Sequence, residues 1–226
     1  MAHYDLEEQE QLDSIKTWWK MYGNLVTGVV TVAALGVVGW QGWHWYWNGQ
    51  SGQASAIFSV LEEAVAAKDA QRVKAASGEL TEKFGGTTYA ALGAMAAAKA
   101  SFEAGDVKTA KLQLAWVAEN GKNEIKDVAR LRLVAVLLDE KSYDEALKQI
   151  DSPHAPAFEA RFADLKGEVL LAQGKKAEAR AAFKAALANL DEKLKAEGAS
   201  EGAAKAAKNP YRELMQQKLD ALGEST

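Results

Sequence analysis

The hydrophobic pattern divides the chain into one uninterrupted apolar run and a long amphipathic remainder. From Met21 to Leu61, 41 residues pass without an Asp, Glu, Lys or Arg. Inside that run, Leu25–Trp43 is relieved only by Thr27, Thr31, Gln41 and glycines. As a helix it reaches about 28 Å, against a hydrocarbon core of about 30 Å. Trp18 and Trp19 stand before it, and Trp40, Trp43, Trp45, Tyr46 and Trp47 close it. Amphipathic rings at both ends are the belts of a membrane span, whereas a helix buried in a soluble core has no reason to collect indoles there. The pattern predicts a spanning helix over 21–47, after a tail at 1–20. A polar, Gly-rich hinge follows at 48–53 (NGQSGQ), and a domain over 54–222.

Beyond the hinge the pattern changes to helical stripes. Val107, Ala110, Leu114 and Val117 mark one, and Phe158, Phe162, Leu165, Val169 and Ala172 another. The chain has three prolines and no alternating strand run, so the fold class expected is all-α. Breaks at Lys68, Gly105, Lys141 and Gly174 align as turns inside helix pairs that begin near Ala54, Ala91, Asp127 and Ala160. A period near 34 residues predicts a tetratricopeptide-like helical-hairpin solenoid, with a plain helical bundle as the alternative. Gly167, Ala179, Phe183 and Ala186 in the last pair, with Ala98 and Ala110 in the second, and Tyr143 and Ala146 in the third, hold the close-crossing positions. Ser142 and Glu145 predict a capping box. Asn209-Pro210 offers an N-cap and an N1 proline for a C-terminal capping helix over Tyr211–Leu222, after the low-complexity stretch Glu197–Lys208.

Charge orients the span. Lys16 and Lys20 precede it and the next basic residue is Lys68, so the positive-inside rule keeps the N-terminal tail in the cytoplasm and exports the rest. The tail's acidic residues do not overturn a rule that counts Lys and Arg. A cleaved signal peptide is the competing expectation, but the leading region is long and acidic, and indoles occupy the place of a small-residue cleavage site. With 27 basic and 31 acidic residues, the chain has no cationic excess for nucleic acid. It has no cysteine, so an exported domain must hold by packing rather than disulfides.

Chemistry is sparse. The three histidines, His3, His44 and His154, have no metal-ligand spacing. His154, between two prolines, is expected as an exposed loop residue. No catalytic constellation, cofactor or small-molecule substrate is expected. The concave face made by the first helix of each hairpin is the expected binding surface, with Met95, Lys99, Phe102, Leu131, Arg161 and Glu168 as the partner-binding residues and, as the alternative, Phe102 and Leu131 as core between repeats. Along the span, Gly28, Thr31, Gly39 and Gly42 share one arc, the expected contact face for another membrane helix.

The acidic tail and uncharged span, the exit Gly39-Trp40-Gln41-Gly42-Trp43-His44-Trp45-Tyr46-Trp47-Asn48, the segment Thr88-Tyr89-Ala90-Ala91-Leu92 and the stretch from Asp164 to Arg180 together resemble the YfgM-type ancillary SecYEG translocon subunits. These are tetratricopeptide-like proteins of the bacterial inner membrane. The Ala/Lys/Gly-rich insertion before Asn209 departs from that pattern. The resemblance implies a single-pass inner-membrane adaptor with a periplasmic domain. Its implied partners are the SecYEG translocon, a membrane-anchored periplasmic chaperone of the peptidyl-prolyl isomerase type, and newly exported polypeptides. It also implies an alternative role, in which the protein regulates envelope stress signalling by sequestering a cytoplasmic response regulator. The family has no catalytic residues to carry over.

Overall fold

A computed structural model describes residues 4–197 and 209–223, all helical apart from turns and one 3-10 segment. Of the low-complexity stretch, all but Glu197 lies outside the described residues. The chain forms two compact units, 1–52 and 53–226.

The first unit belongs to helix α1, Tyr4–Ala66. Its side chains from Val29 to Trp45 are exposed along the helix, and among the described residues this is the one helix long and apolar enough to cross a membrane. Tryptophan and tyrosine rings meet at helical spacing near each end. Trp18 lies 5.8 Å from Tyr22, and Trp43 lies 5.9 Å from Trp47, centroid to centroid. The expected hinge at 48–53 contains the division between the units, and its backbone is helical. Isolated glycines cost a helix only about 1 kcal/mol each, so Gly49 and Gly52 do not stop it.

The second unit holds the end of α1 and helices α2 (Ala70–Lys83), α3 (Thr88–Glu103), α4 (Val107–Asn120), α5 (Asn123–Asp139), α6 (Tyr143–Ile150), α7 (Glu159–Ala172), α8 (Lys176–Glu197) and α9 (Pro210–Ala221). The four turns expected inside the hairpins share one geometry. Lys68, Gly105, Lys141 and Gly174 adopt φ of 55°, 81°, 61° and 78°. In each turn the amide of the next residue reaches back to a carbonyl in the helix before it, as Asp106 N does to Ser101 O and Lys175 N to Leu170 O. This left-handed closure satisfies carbonyls at the helix end and reverses the chain. Asp69 and Asp106 then cap the following helices by accepting from Arg72 N and Thr109 N. Ser142 stands at the N-cap of α6, but its side chain makes no cap bond. The expected capping box is therefore absent, and α6, with eight residues, is the shortest α-helix among the described residues.

Consecutive helices pack in series, α2 on α3, α3 on α4, α4 on α5, α5 on α6 and α7 on α8. The main core joins Ala94, Leu114, Val117, Leu133, Val134, Leu137, Phe162 and Val169. Small residues sit where helices cross closest: Ala98, Ala110, Ala146, Ala179 and Ala186 are buried, and a Cβ added at Gly167 would lie 2.5 Å from the Phe183 ring. The domain is therefore a tetratricopeptide-like array of hairpins rather than an undifferentiated bundle.

The loop before α7 is fastened from α5. Buried Asp127 accepts from Ala155 N at 2.9 Å, and Arg130 donates to Pro153 O at 2.6 Å. His154 is not the exposed loop residue its proline flanks suggested. Its side chain is 14 % exposed, its Nδ1 is 3.0 Å from Ser152 O, and its ring lies 4.2 Å from that of Phe162.

Candidate functional site

The six residues expected on the first-helix face occupy three environments. On α3, Leu92, Met95, Lys99 and Phe102 fall within an arc of about 80° at the helical period. Phe102 is 48 % exposed, and Lys99 is exposed with its ammonium 3.8 Å from Glu103. Met95, on the same arc, is buried in the main core, and Leu131 of α5 packs half-buried against that core. The structure thus brings Met95 and Leu131 together as the floor between neighbouring hairpins. Of the three expected residues on α3, Lys99 and Phe102 stand out into solvent.

Arg161 and Glu168 meet at the other end, around α9. The Arg161 guanidinium lies over the Tyr211 ring, 4.6 Å from its centroid, and Glu168 accepts from Lys218 at 2.5 Å. Between them buried Asp164 accepts from the Tyr211 hydroxyl at 2.9 Å and from Lys218 at 2.7 Å. Tyr211 faces the start of α7 and Lys218 its middle, so α9 runs parallel to α7. It runs antiparallel to α8, where Arg212 forks onto Asp191 and Arg180 donates to the Gly223 carbonyl. That is the stance of the first helix of a further hairpin. Its other side buries Met215 and Leu219, with Met215 against Ala160, Ala186 and Leu190, and Leu219 against Leu170, Ala179 and Phe183. Asn209 caps it by accepting from Tyr211 N, and Pro210 sits in its first turn, as the sequence predicts.

The electrostatics of this corner follow from its contacts. Burial works against the charged form of Lys218, but its hydrogen bonds to Asp164 and Glu168, with their charges, outweigh that and leave its pKa raised. Burial first, and then the Asp164 carboxylate, push the Tyr211 hydroxyl well above its ordinary value. Both groups are therefore held protonated in the folded chain. Sequence reasoning placed Tyr211 on the apolar side of the last helix and missed the grip on Asp164. The available signal was Asp164 and Glu168 one turn apart on α7, opposite Tyr211 and Lys218 two turns apart on α9.

Large apolar side chains left exposed in this unit are Val60, Leu92, Phe102, Leu112, Leu171 and Leu214. Leu112, on α4, is the one carried by the second helix of a pair. The others lie on α1, α3, α7 and α9, so apolar exposure concentrates on first helices. Two crevices open elsewhere: one of about 740 Å³ between α2 and the α3–α4 turn, with Val73, Lys74 and Asp106 in its lining, and one of about 530 Å³ beside Gly86 and Lys122. None of the six expected residues lines either. Among the described residues no three His, Cys, Asp or Glu side chains converge as metal ligands. Along α1, Gly28, Gly39 and Gly42 meet no atom that an added Cβ would touch, and Thr31 donates to Thr27 O.

Comparison with known proteins places these features. The model of the tetratricopeptide repeat-like domain family matches residues 16–224. An ancillary SecYEG translocon subunit of Neisseria gonorrhoeae is 32 % identical over 219 residues, 96 % of this chain and 98 % of the relative. Proteins with the same description are 29 % identical in Haemophilus influenzae, over 81 % of this chain and 90 % of the relative, and in Escherichia coli, over 79 % and 86 %.

Proposed function

This chain belongs to the tetratricopeptide repeat-like family of ancillary SecYEG translocon subunits, and on that premise we propose that it is a non-enzymatic, membrane-anchored adaptor of the Sec translocon. The supporting observation is that similarity to the Neisseria gonorrhoeae translocon subunit runs through both units, over 96 % of this chain. The apolar span and the hairpin array are thus matched together.

In this reading α1 crosses the inner membrane with Lys16 and Lys20 on the cytoplasmic side, and the hairpin domain lies in the periplasm. The Gly28, Thr31, Gly39 and Gly42 face meets a neighbouring membrane helix. The first-helix face, with Lys99, Phe102, Arg161 and Glu168 at its surface and Met95 and Leu131 beneath, binds newly exported segments. A membrane-anchored periplasmic chaperone of the peptidyl-prolyl isomerase type docks on the same domain. Tethering beside the exit raises the effective concentration of the surface, so individually weak contacts suffice.

The test is photocrosslinking in native membranes from Lys99, Phe102 and Arg161, with Leu112 on the second-helix side as the control. Capture of translocon subunits, the chaperone or exported chains from the first three positions, and not from Leu112, is expected. Equal capture from all four positions refutes the surface assignment. Capture of a response regulator by the N-terminal tail, with none of those partners recovered, overturns the adaptor in favour of a signalling role.

A further inference from the structure

Resting on the first-helix surface proposed above, we propose that Arg161 is a receiving site for a side-chain carboxylate carried by the bound segment, with Tyr211 and Lys218 as its positioning residues. On α7, Arg161 is followed by Asp164 and Glu168 at the three- and seven-residue spacings that share a helix face. An arginine so placed ordinarily pairs with the carboxylate three residues on, here Asp164. Here both are occupied from α9: Asp164 takes the Tyr211 hydroxyl and Lys218, and Glu168 takes Lys218.

Arg161 is left exposed over the Tyr211 ring, and among the described residues no carboxylate lies within salt-bridge distance of it. A guanidinium laid on an aromatic face keeps its in-plane N–H donors for a planar acceptor. Two other arginines of the domain are spent, Arg130 on Asp127 and Pro153 O, and Arg212 on Asp191. Charge agrees with this assignment. Arg161, Asp164 and Glu168 sum to −1, and Lys218 brings the corner to zero, so an approaching carboxylate meets an aimed cation without net repulsion. Leu165, one turn beyond Arg161 and half-buried, offers adjoining apolar surface. The ligand class is therefore an apolar polypeptide segment bearing an Asp or Glu.

The test uses the full chain in lipid nanodiscs and two fluorescent peptides, an apolar segment with one Glu and its Gln twin. Wild type is expected to prefer the Glu peptide by about tenfold at low salt, with the preference falling at high salt. Arg161→Gln abolishes the preference. Lys218→Met abolishes it too, by releasing Asp164 to compete for Arg161, and Lys218→Arg retains it. Phe102→Ala weakens both peptides alike. If Phe102→Ala weakens binding but wild type does not distinguish the twins, the carboxylate site is overturned and the surface stands. If neither Phe102→Ala nor Arg161→Gln alters binding, the surface falls and the site with it.

Discussion

Replacing Gly167 by Ala tests the packing of the last hairpin. Gly167 lies mid-α7, where a Cβ would sit 2.5, 2.6 and 2.8 Å from three atoms of the Phe183 ring. Carbon atoms pack at about 3.5–4.0 Å, so ring or helix must give by about 1 Å. Phe183 has little room, being 1 % exposed and packed with Leu170, Ala179 and Leu219. Overpacking of this kind costs about 1–3 kcal/mol, and the better helix propensity of Ala returns up to about 1 kcal/mol. The expected net loss is about 1–2 kcal/mol, a fall in Tm of about 2–6 °C for a domain of this length. Thermal unfolding of the full chain in detergent micelles, followed by far-UV circular dichroism, measures it. Hydrogen exchange should show α9 loosening first, because Leu219 rests on the displaced ring. Phe183→Leu in the Gly167→Ala background should recover part of the loss. Gly93→Ala provides the contrast, since the atom it meets at 2.5 Å is a terminal methyl of Leu80, and it should cost less. A Gly167→Ala chain that melts at or above the wild-type temperature would refute the close crossing of α7 and α8.

Two further outcomes follow from the buried polar contacts. Tyr211 and Lys218 both have raised folded pKa values, so the stability they contribute is full below their unfolded values of about 10–10.5 and is lost as pH rises through the folded ones. Alkaline melts should therefore show a decline that is smaller in Lys218→Met, and an identical decline in that variant would count against the grip. Asp127→Ala leaves the Arg130 guanidinium buried without its carboxylate and Ala155 N without its acceptor. It should cost about 3–5 kcal/mol, while Asp127→Asn, which keeps an acceptor, should cost less in urea unfolding.

The hairpin register was legible because each turn demands a left-handed residue. Gly105 and Gly174 advertise it by lacking a Cβ, and Lys68 and Lys141 were found through the spacing, although lysine has no preference for that conformation. Asn209-Pro210 was legible because cap chemistry is local. The burial of Met95 was not, because the helical period puts it on the same arc as exposed Phe102, and only the approach of α5 separates them. Nor was the environment of His154, since the proline flanks say nothing of Phe162. The grip on Asp164 joins residues 47 and 54 positions apart, so its matching spacings on α7 and α9 become a signal only once the two helices are known to be neighbours. The helical backbone through 48–53 also escaped the sequence, because a Gly-rich polar segment costs a helix less than its composition implies.

Helix α9, parallel to α7, also bears on self-assembly. A stack of hairpins ending at α8 would offer Ala160, Leu187, Leu190 and Leu194 as an open apolar end. Any copy with a matching start could add there head to tail, and such heterologous contacts grow into filaments. α9 fills that end with Met215 and Leu219 and turns Glu213, Gln216, Gln217 and Asp220 outward. With Leu214 the one large apolar side chain left exposed on α9, that twelve-residue helix offers an incoming hairpin a mostly polar seat, which disfavours head-to-tail growth at the covered end.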